Sequence, residues 1–153
     1  RALTINKGSS QGLRPDMAVV AAAGVVGRIV ATSPDAAQVQ LLIDANAAAG
    51  AIVERSRAQG IVVGAGDRGL LLDKVSEAAE ISVGDRVLTS GIEGPLAIYP
   101  RGFVIGTVES IRKNGSAYAQ IRVKPAVDFS SIEQVLVILT PQPVGQPQRE
   151  NAR

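Results

Sequence analysis

Histidine, cysteine and tryptophan are absent from this 153-residue chain. Without His or Cys there is no Ser-His-Asp or Cys-His nucleophile, no imidazole base, and no thiolate or imidazole metal site. Aromatic rings are scarce: Tyr99, Phe103, Tyr118 and Phe129 are the whole supply. Grooves for single-stranded nucleic acid stack bases on aromatic platforms, so four scattered rings argue against that function. Sugar-binding surfaces, which stack on Trp or Tyr, are disfavoured for the same reason. An excess of one charge is missing too, since 16 Lys and Arg against 14 Asp and Glu leave a net +2. Arg14, Arg28, Arg55, Arg57, Arg68, Arg86, Arg101 and Arg112 are dispersed and form no phosphate-tracking stripe. No run is long and apolar enough to span a membrane, and no signal peptide is present. The chain opens at Arg1 rather than Met and reads as an excised fragment, so a missing anchor says nothing of the full protein. The lack of cysteine leaves the redox compartment unread.

What is present suits a β protein. Hydrophobic residues make up 46% of the chain, so a core of Ala, Val, Ile and Leu is within reach. Sixteen Gly and eight Pro are spread throughout, which fits short elements joined by tight turns. From Gln38 to Asp44, Val39, Leu41 and Ile43 oppose Gln38, Gln40 and Asp44. From Ala119 to Lys124, Ala119, Ile121 and Val123 oppose Gln120, Arg122 and Lys124. Such period-two alternation predicts half-buried strands. Further strands are expected at Met17 to Ala21, Val25 to Ala31, Ile61 to Val63, Arg86 to Ser90, Val104 to Ile111 and Val135 to Leu139. The last is apolar on both faces and reads as a central strand. Leu70 to Glu80 is open between helix and strand plus loop, because Leu71, Val75 and Ala78 share one helical face.

A weak internal repeat runs through this pattern. Asp16-Met17-Ala18-Val19, Val26-Gly27-Arg28-Ile29 and Ala37-Gln38-Val39 are answered by Asp85-Arg86-Val87, Ile105-Gly106-Thr107-Val108 and Ala119-Gln120-Ile121. Glycine inside a strand marks a bulge or a barrel corner. The expected fold class is therefore all-β, with two small β-barrel domains of short, largely antiparallel strands. The expected division is 1–60 for the first unit and 61–139 for the second, with the alternative that one is inserted in the other. Residues 140–153, rich in Pro and Gln, are expected to be a disordered tail, because they hold too little apolar surface to offset ordering entropy.

Two motifs invite a functional reading. Gly64-Ala65-Gly66-Asp67-Arg68-Gly69 satisfies G-x-G-x-x-G, but a dinucleotide site also needs a helix opening at the glycines within a βαβ unit. A hairpin loop explains the same residues better. The second is the loop Gly91 to Gly102, which carries Ile92, Leu96, Ile98 and Tyr99 between Gly and Pro residues. These four side chains are candidate protein contacts, and the alternative is that they fold back as a lid on a barrel end. Phe103 and Phe129 are expected to fill core, and Tyr99 and Tyr118 to sit at surface or rim. The spacing of Asp44, Glu54, Asp73, Asp85, Glu109 and Asp128 brings no two of them to one site. Neither an enzyme nor a cofactor is expected.

Five segments in order resemble the MreC family of rod-shape-determining proteins. INKGSSQGLRPDMAVV followed by GVVGRIV and AQVQLLID is similar to the start of that family's core. ERSRAQGIVVGAG, SVGDRVLTSGIEG, YPRGFVIGTV and VKPAVDFSSIEQVLVI resemble its later signatures, so the likeness runs from Ile5 to about Leu139. The resemblance implies two β-barrels placed after a transmembrane helix and a coiled coil, in an extracytoplasmic, periplasmic location. It implies a non-enzymatic scaffold of the cell-wall elongation machinery that docks RodA and a class B penicillin-binding transpeptidase. MreD and MreB are implied partners through the N-terminal part, and self-association into homodimers or filaments is a further implied trait. Membrane contact is implied only through that N-terminal helix. A likeness in shape to chymotrypsin-type barrels carries no protease here, since His is absent. The segment between Ser90-Gly91 and Pro100-Arg101-Gly102 departs from the family pattern by being longer. The alternative function, a small-barrel nucleic-acid-binding module, rests on net basic charge and glycine-bent strands.

Overall fold

The structure is a computed structural model and describes residues 1–91, 98–113, 115 and 118–139. The alternating and apolar runs become strands β1 (Ala2–Ile5), β2 (Ala18–Ala21), β3 (Gly24–Thr32), β4 (Ala37–Leu41) and β5 (Ala48–Val53). They continue as β6 (Gln59–Gly64), β7 (Leu70–Asp73), β8 (Arg86–Thr89), β9 (Val104–Arg112), β10 (Gln120–Pro125) and β11 (Leu136–Val137). Helical structure among the described residues is confined to single 3-10 turns at Ser9–Gln11 and Gly66–Arg68. The fold is all-β.

All pairings among the described residues are antiparallel, and the strands fall into two sheets. One has the order β1-β4-β3-β2-β11, and the other closes as a six-strand barrel, β10-β7-β6-β5-β8-β9. Closure removes the free edges that an open sheet would expose. The chain crosses from sheet to barrel over residues 42–47 and returns to the sheet with β11, which pairs Leu136 with Val20. The position 60/61 lies inside β6, whose neighbours are β5 and β7.

The internal repeat corresponds to a repeated geometry. Val19 faces Gly27 in the first unit, and Val87 faces Gly106 in the second. Beyond each pair the register slips by one, leaving Val26 and Ile105 as the bulged residues. A Cβ on Gly27 would lie 1.8 Å from the Gln40 carbonyl oxygen, and one on Gly106 would lie 2.0 Å from that of Lys124. Each glycine is thus required by the close approach of the next strand, where the sheet coils.

A single core joins the two units. Val19, Val26, Ile29 and Val39 of the sheet share it with Ala51, Val62, Leu72, Val87 and Ile121 of the barrel. Phe103 and Phe129 pack half-buried against it, as core filling requires. Leu70–Asp73 is strand rather than helix, and Lys74 at φ 64° turns the chain out of it.

Two expectations need correction. Residues 135–139 do not form a central strand. Only Leu136 and Val137 pair, at the sheet's edge, and Leu136 is 70% exposed. Apolarity on both faces here reflects an edge strand with one face packed and one open. Tyr99 is the second correction: it is buried, at 5% exposure, and not at surface or rim. Tyr118 is exposed, as expected.

Candidate protein-contact surface

The loop joining β8 to β9 is fastened at its base by one hydroxyl. Thr89 ends β8 fully buried, and its Oγ1 donates to the Pro100 carbonyl at 2.6 Å. The same oxygen accepts the Phe103 N–H at 2.8 Å. Backbone bonds from Thr89 N–H to the Phe103 carbonyl (2.8 Å) and from Gly102 N–H to the Thr89 carbonyl (2.9 Å) complete the clasp. Gly91 at φ 67° packs so closely on Arg101 that a Cβ there would lie 2.8 Å from that residue's Cβ. These bonds hold the two ends of the loop together at its base.

The four candidate contacts divide unequally. Ile98 packs half-buried against the core, and Tyr99 is enclosed. Burial pushes the Tyr99 phenol up, with Arg28 opposing the shift and Asp16 adding to it. In the sheet, Arg28 pairs with Asp16 and donates through Nε to Gln40 Oε1 at 3.1 Å. The described part of the loop, at Ile98 and Tyr99, therefore packs onto the core. Ile92 and Leu96 lie outside the described residues.

A second anchor holds the turn before β8. Arg55 grips Asp85 with both carboxylate oxygens, Nε to Oδ1 at 2.9 Å and Nη2 to Oδ2 at 3.0 Å. Asp85 Oδ2 also accepts the Ser82 N–H at 2.8 Å. The Arg55 guanidinium, together with that backbone bond, holds the Asp85 carboxyl below its ordinary value, although burial opposes it. Asp128 makes a similar turn, accepting the Ser130 N–H and hydroxyl at 3.0 and 2.6 Å, and those bonds lower its pKa as well. These carboxylates are engaged in holding turns.

The sequence reading missed Thr89, Arg55 and Asp85 as working residues, although each lies in a quoted segment. The signals were Thr before Ser-Gly at a strand end, and a Gly-Asp turn paired at long range with an Arg. Gly64 to Gly69 proves to be the β6–β7 hairpin: Gly64 pairs with Leu70, and the 3-10 turn sits between them.

The class set by this geometry is an all-β protein of two joined sheets, one closed into a barrel, with turns held by side-chain hydrogen bonds to the backbone. The family model for the barrel core of the rod shape-determining protein MreC matches residues 1–139, and the chain belongs to that family. The cell shape-determining protein MreC of Listeria monocytogenes is 31% identical over 140 residues, covering 88% of this chain and 46% of that protein. The Escherichia coli K12 protein of the same name is 30% identical over 138 residues, covering 89% and 37%. The chain thus spans less than half the length of these relatives. A crystal structure of MreC from Pseudomonas aeruginosa superposes with a TM-score of 0.83 at 29% identity, covering 90% of this chain and 88% of that one. MreC in a complex with a penicillin-binding protein, PBP2, from Helicobacter pylori superposes with a TM-score of 0.61 at 25% identity, covering 73% and 68%.

Proposed function

We propose that this chain is the extracytoplasmic docking part of a cell-shape scaffold, one that binds a class B penicillin-binding transpeptidase and regulates wall synthesis without chemistry of its own. The observation that carries the reading is the likeness to an MreC captured with a penicillin-binding protein, joined to membership of a family named for cell shape. The physical support is rigidity. One core, two bulged units and clasped loops present surfaces whose shape is set before a partner arrives, which lowers the ordering cost of association.

The same reading places the chain in the periplasm, tethered to the inner membrane by a segment outside it. It gives RodA a place beside the transpeptidase, and it assigns MreD and MreB to the N-terminal part. Self-association into dimers or filaments belongs to it too. Ile92 and Leu96 are its loop contacts, since Ile98 and Tyr99 turn toward the core.

Co-purification of the full-length protein with its transpeptidase and RodA from detergent extracts is the test. Specific recovery of both is expected, and recovery of neither under conditions that keep the protein folded overturns the reading. An acylating active-site probe should leave the chain unlabelled.

A further inference from the structure

The outer face of the barrel away from the loop holds a cleft of about 500 Å³ across β6, β7, β10 and β9. Its floor follows from the register. Val63 of β6 faces Leu71 of β7, Leu71 faces Arg122 of β10, and Arg122 faces Ser110 of β9. Alternation turns all four outward, because their neighbours Val62, Leu72 and Ile121 fill the barrel. Leu71 is 37% exposed in the middle of this row. In the next row Gln120 faces Arg112. Arg68, from the β6–β7 turn, closes the end, and its carbonyl accepts a hydrogen bond from Arg122 Nη2 at 3.3 Å.

Three guanidiniums thus ring one exposed leucine. Among the described residues none of Arg68, Arg112 and Arg122 is in an ion pair, whereas Arg1, Arg28, Arg55 and Arg86 all are. The acidic groups near the cleft are Asp73, whose carboxylate accepts the Lys74 N–H at 2.9 Å, and the exposed Glu109 at the bulge of β9. Among the described residues, three cations against one lining carboxylate leave the cleft basic.

We infer that this face docks an acidic, extended segment of a partner protein, one that sets an apolar side chain over Leu71 and Val63 and carboxylates against Arg112, Arg122 and Arg68. Charge complementarity selects an anion, and arginine's planar fork suits carboxylates in particular. The apolar floor decides between anions. A phosphate polymer gains nothing from Leu71, whereas a peptide buries it. The inference stands whether or not the partner is a transpeptidase.

The test is fluorescence anisotropy of the 153-residue chain with a labelled octapeptide alternating Glu and Leu. An octapeptide alternating Glu and Ser and inorganic polyphosphate serve as competitors, each at low and raised salt. Binding of the Glu/Leu peptide is expected, weakened at least about tenfold by R112E/R122E and by Leu71→Ser, with both competitors weaker. Arg112→Glu alone, at an exposed strand end, is the variant to use if the double change fails to fold, and thermal unfolding checks each protein. No binding of the Glu/Leu peptide, or binding indifferent to the arginines, overturns the inference. Equal displacement by polyphosphate with no effect of Leu71→Ser also overturns it, and marks the face as a general anion surface.

Discussion

One hydroxyl, on the fully buried Thr89, bonds to both the Pro100 carbonyl and the Phe103 N–H. Thr89→Val keeps the shape and removes both bonds, leaving two backbone groups unsatisfied. The expected cost is about 1–3 kcal/mol, read by urea unfolding, with Thr89→Ser recovering most of it. The Asp85 carboxylate, 9% exposed, bonds a backbone N–H and a guanidinium together. Its pKa is depressed from 3.8 in the folded state, so its contribution is fully present above that value and is lost as pH falls through the lower, folded one. The stability gap between wild type and Asp85→Ala should therefore be constant at neutral pH, about 1–3 kcal/mol, and should narrow in strong acid. A gap that widens on acidification would contradict this assignment. Ile98→Glu, on a half-buried side chain, should lower the melting temperature.

At the scale of elements, the two bulged strands β3 and β9 set the shape of both units. Gly27→Ala and Gly106→Ala would each press a Cβ onto a neighbouring carbonyl, at 1.8 and 2.0 Å, and backbone cannot yield as a flexible side chain can. Each is expected to cost about 3 kcal/mol or more. Gly102→Ala, at φ 99° with open space around it, should cost only the backbone strain, about 1–2 kcal/mol. Ile121→Ala, in a strand whose alternation places it at 1% exposure, should cost about 2–5 kcal/mol. Chemical denaturation of the four variants ranks these effects. The strands β4 and β10 were legible because each has one wet and one dry face, and period two reports that directly. β11 was misread because apolarity on both faces does not tell a strand flanked on two sides from an edge strand pairing on one. Tyr99 was misread because loop composition reports the chain's path, while burial depends on what the loop lies across.

For the whole molecule, the all-β class and the glycine-bent repeat were readable from local pattern, but the pairings were not. Periodicity gives a strand its faces and leaves its neighbours open. The return of β11 to β2 joins Leu136 to Val20 across most of the chain, and no local signal announces it. The same limit hid the Arg55–Asp85 grip, whose members lie 30 residues apart. The aromatic-poor composition, by contrast, was informative about the surface. It pointed away from stacking sites, whereas the cleft residues Leu71, Arg112 and Arg122 were not singled out, because the arginines are dispersed in sequence and only strand pairing brings them together.

The central proposal is that a pre-shaped β surface on this chain is sufficient to bind a class B penicillin-binding transpeptidase. Titration calorimetry of the chain into the soluble ectodomain of the class B penicillin-binding transpeptidase from the same cell tests it most directly. Saturable binding with a negative heat-capacity change and no unfolding of either protein is predicted. Absence of heat and of any mobility shift, with both proteins folded and the full-length scaffold still capturing the transpeptidase, would place the docking elsewhere and contradict the account.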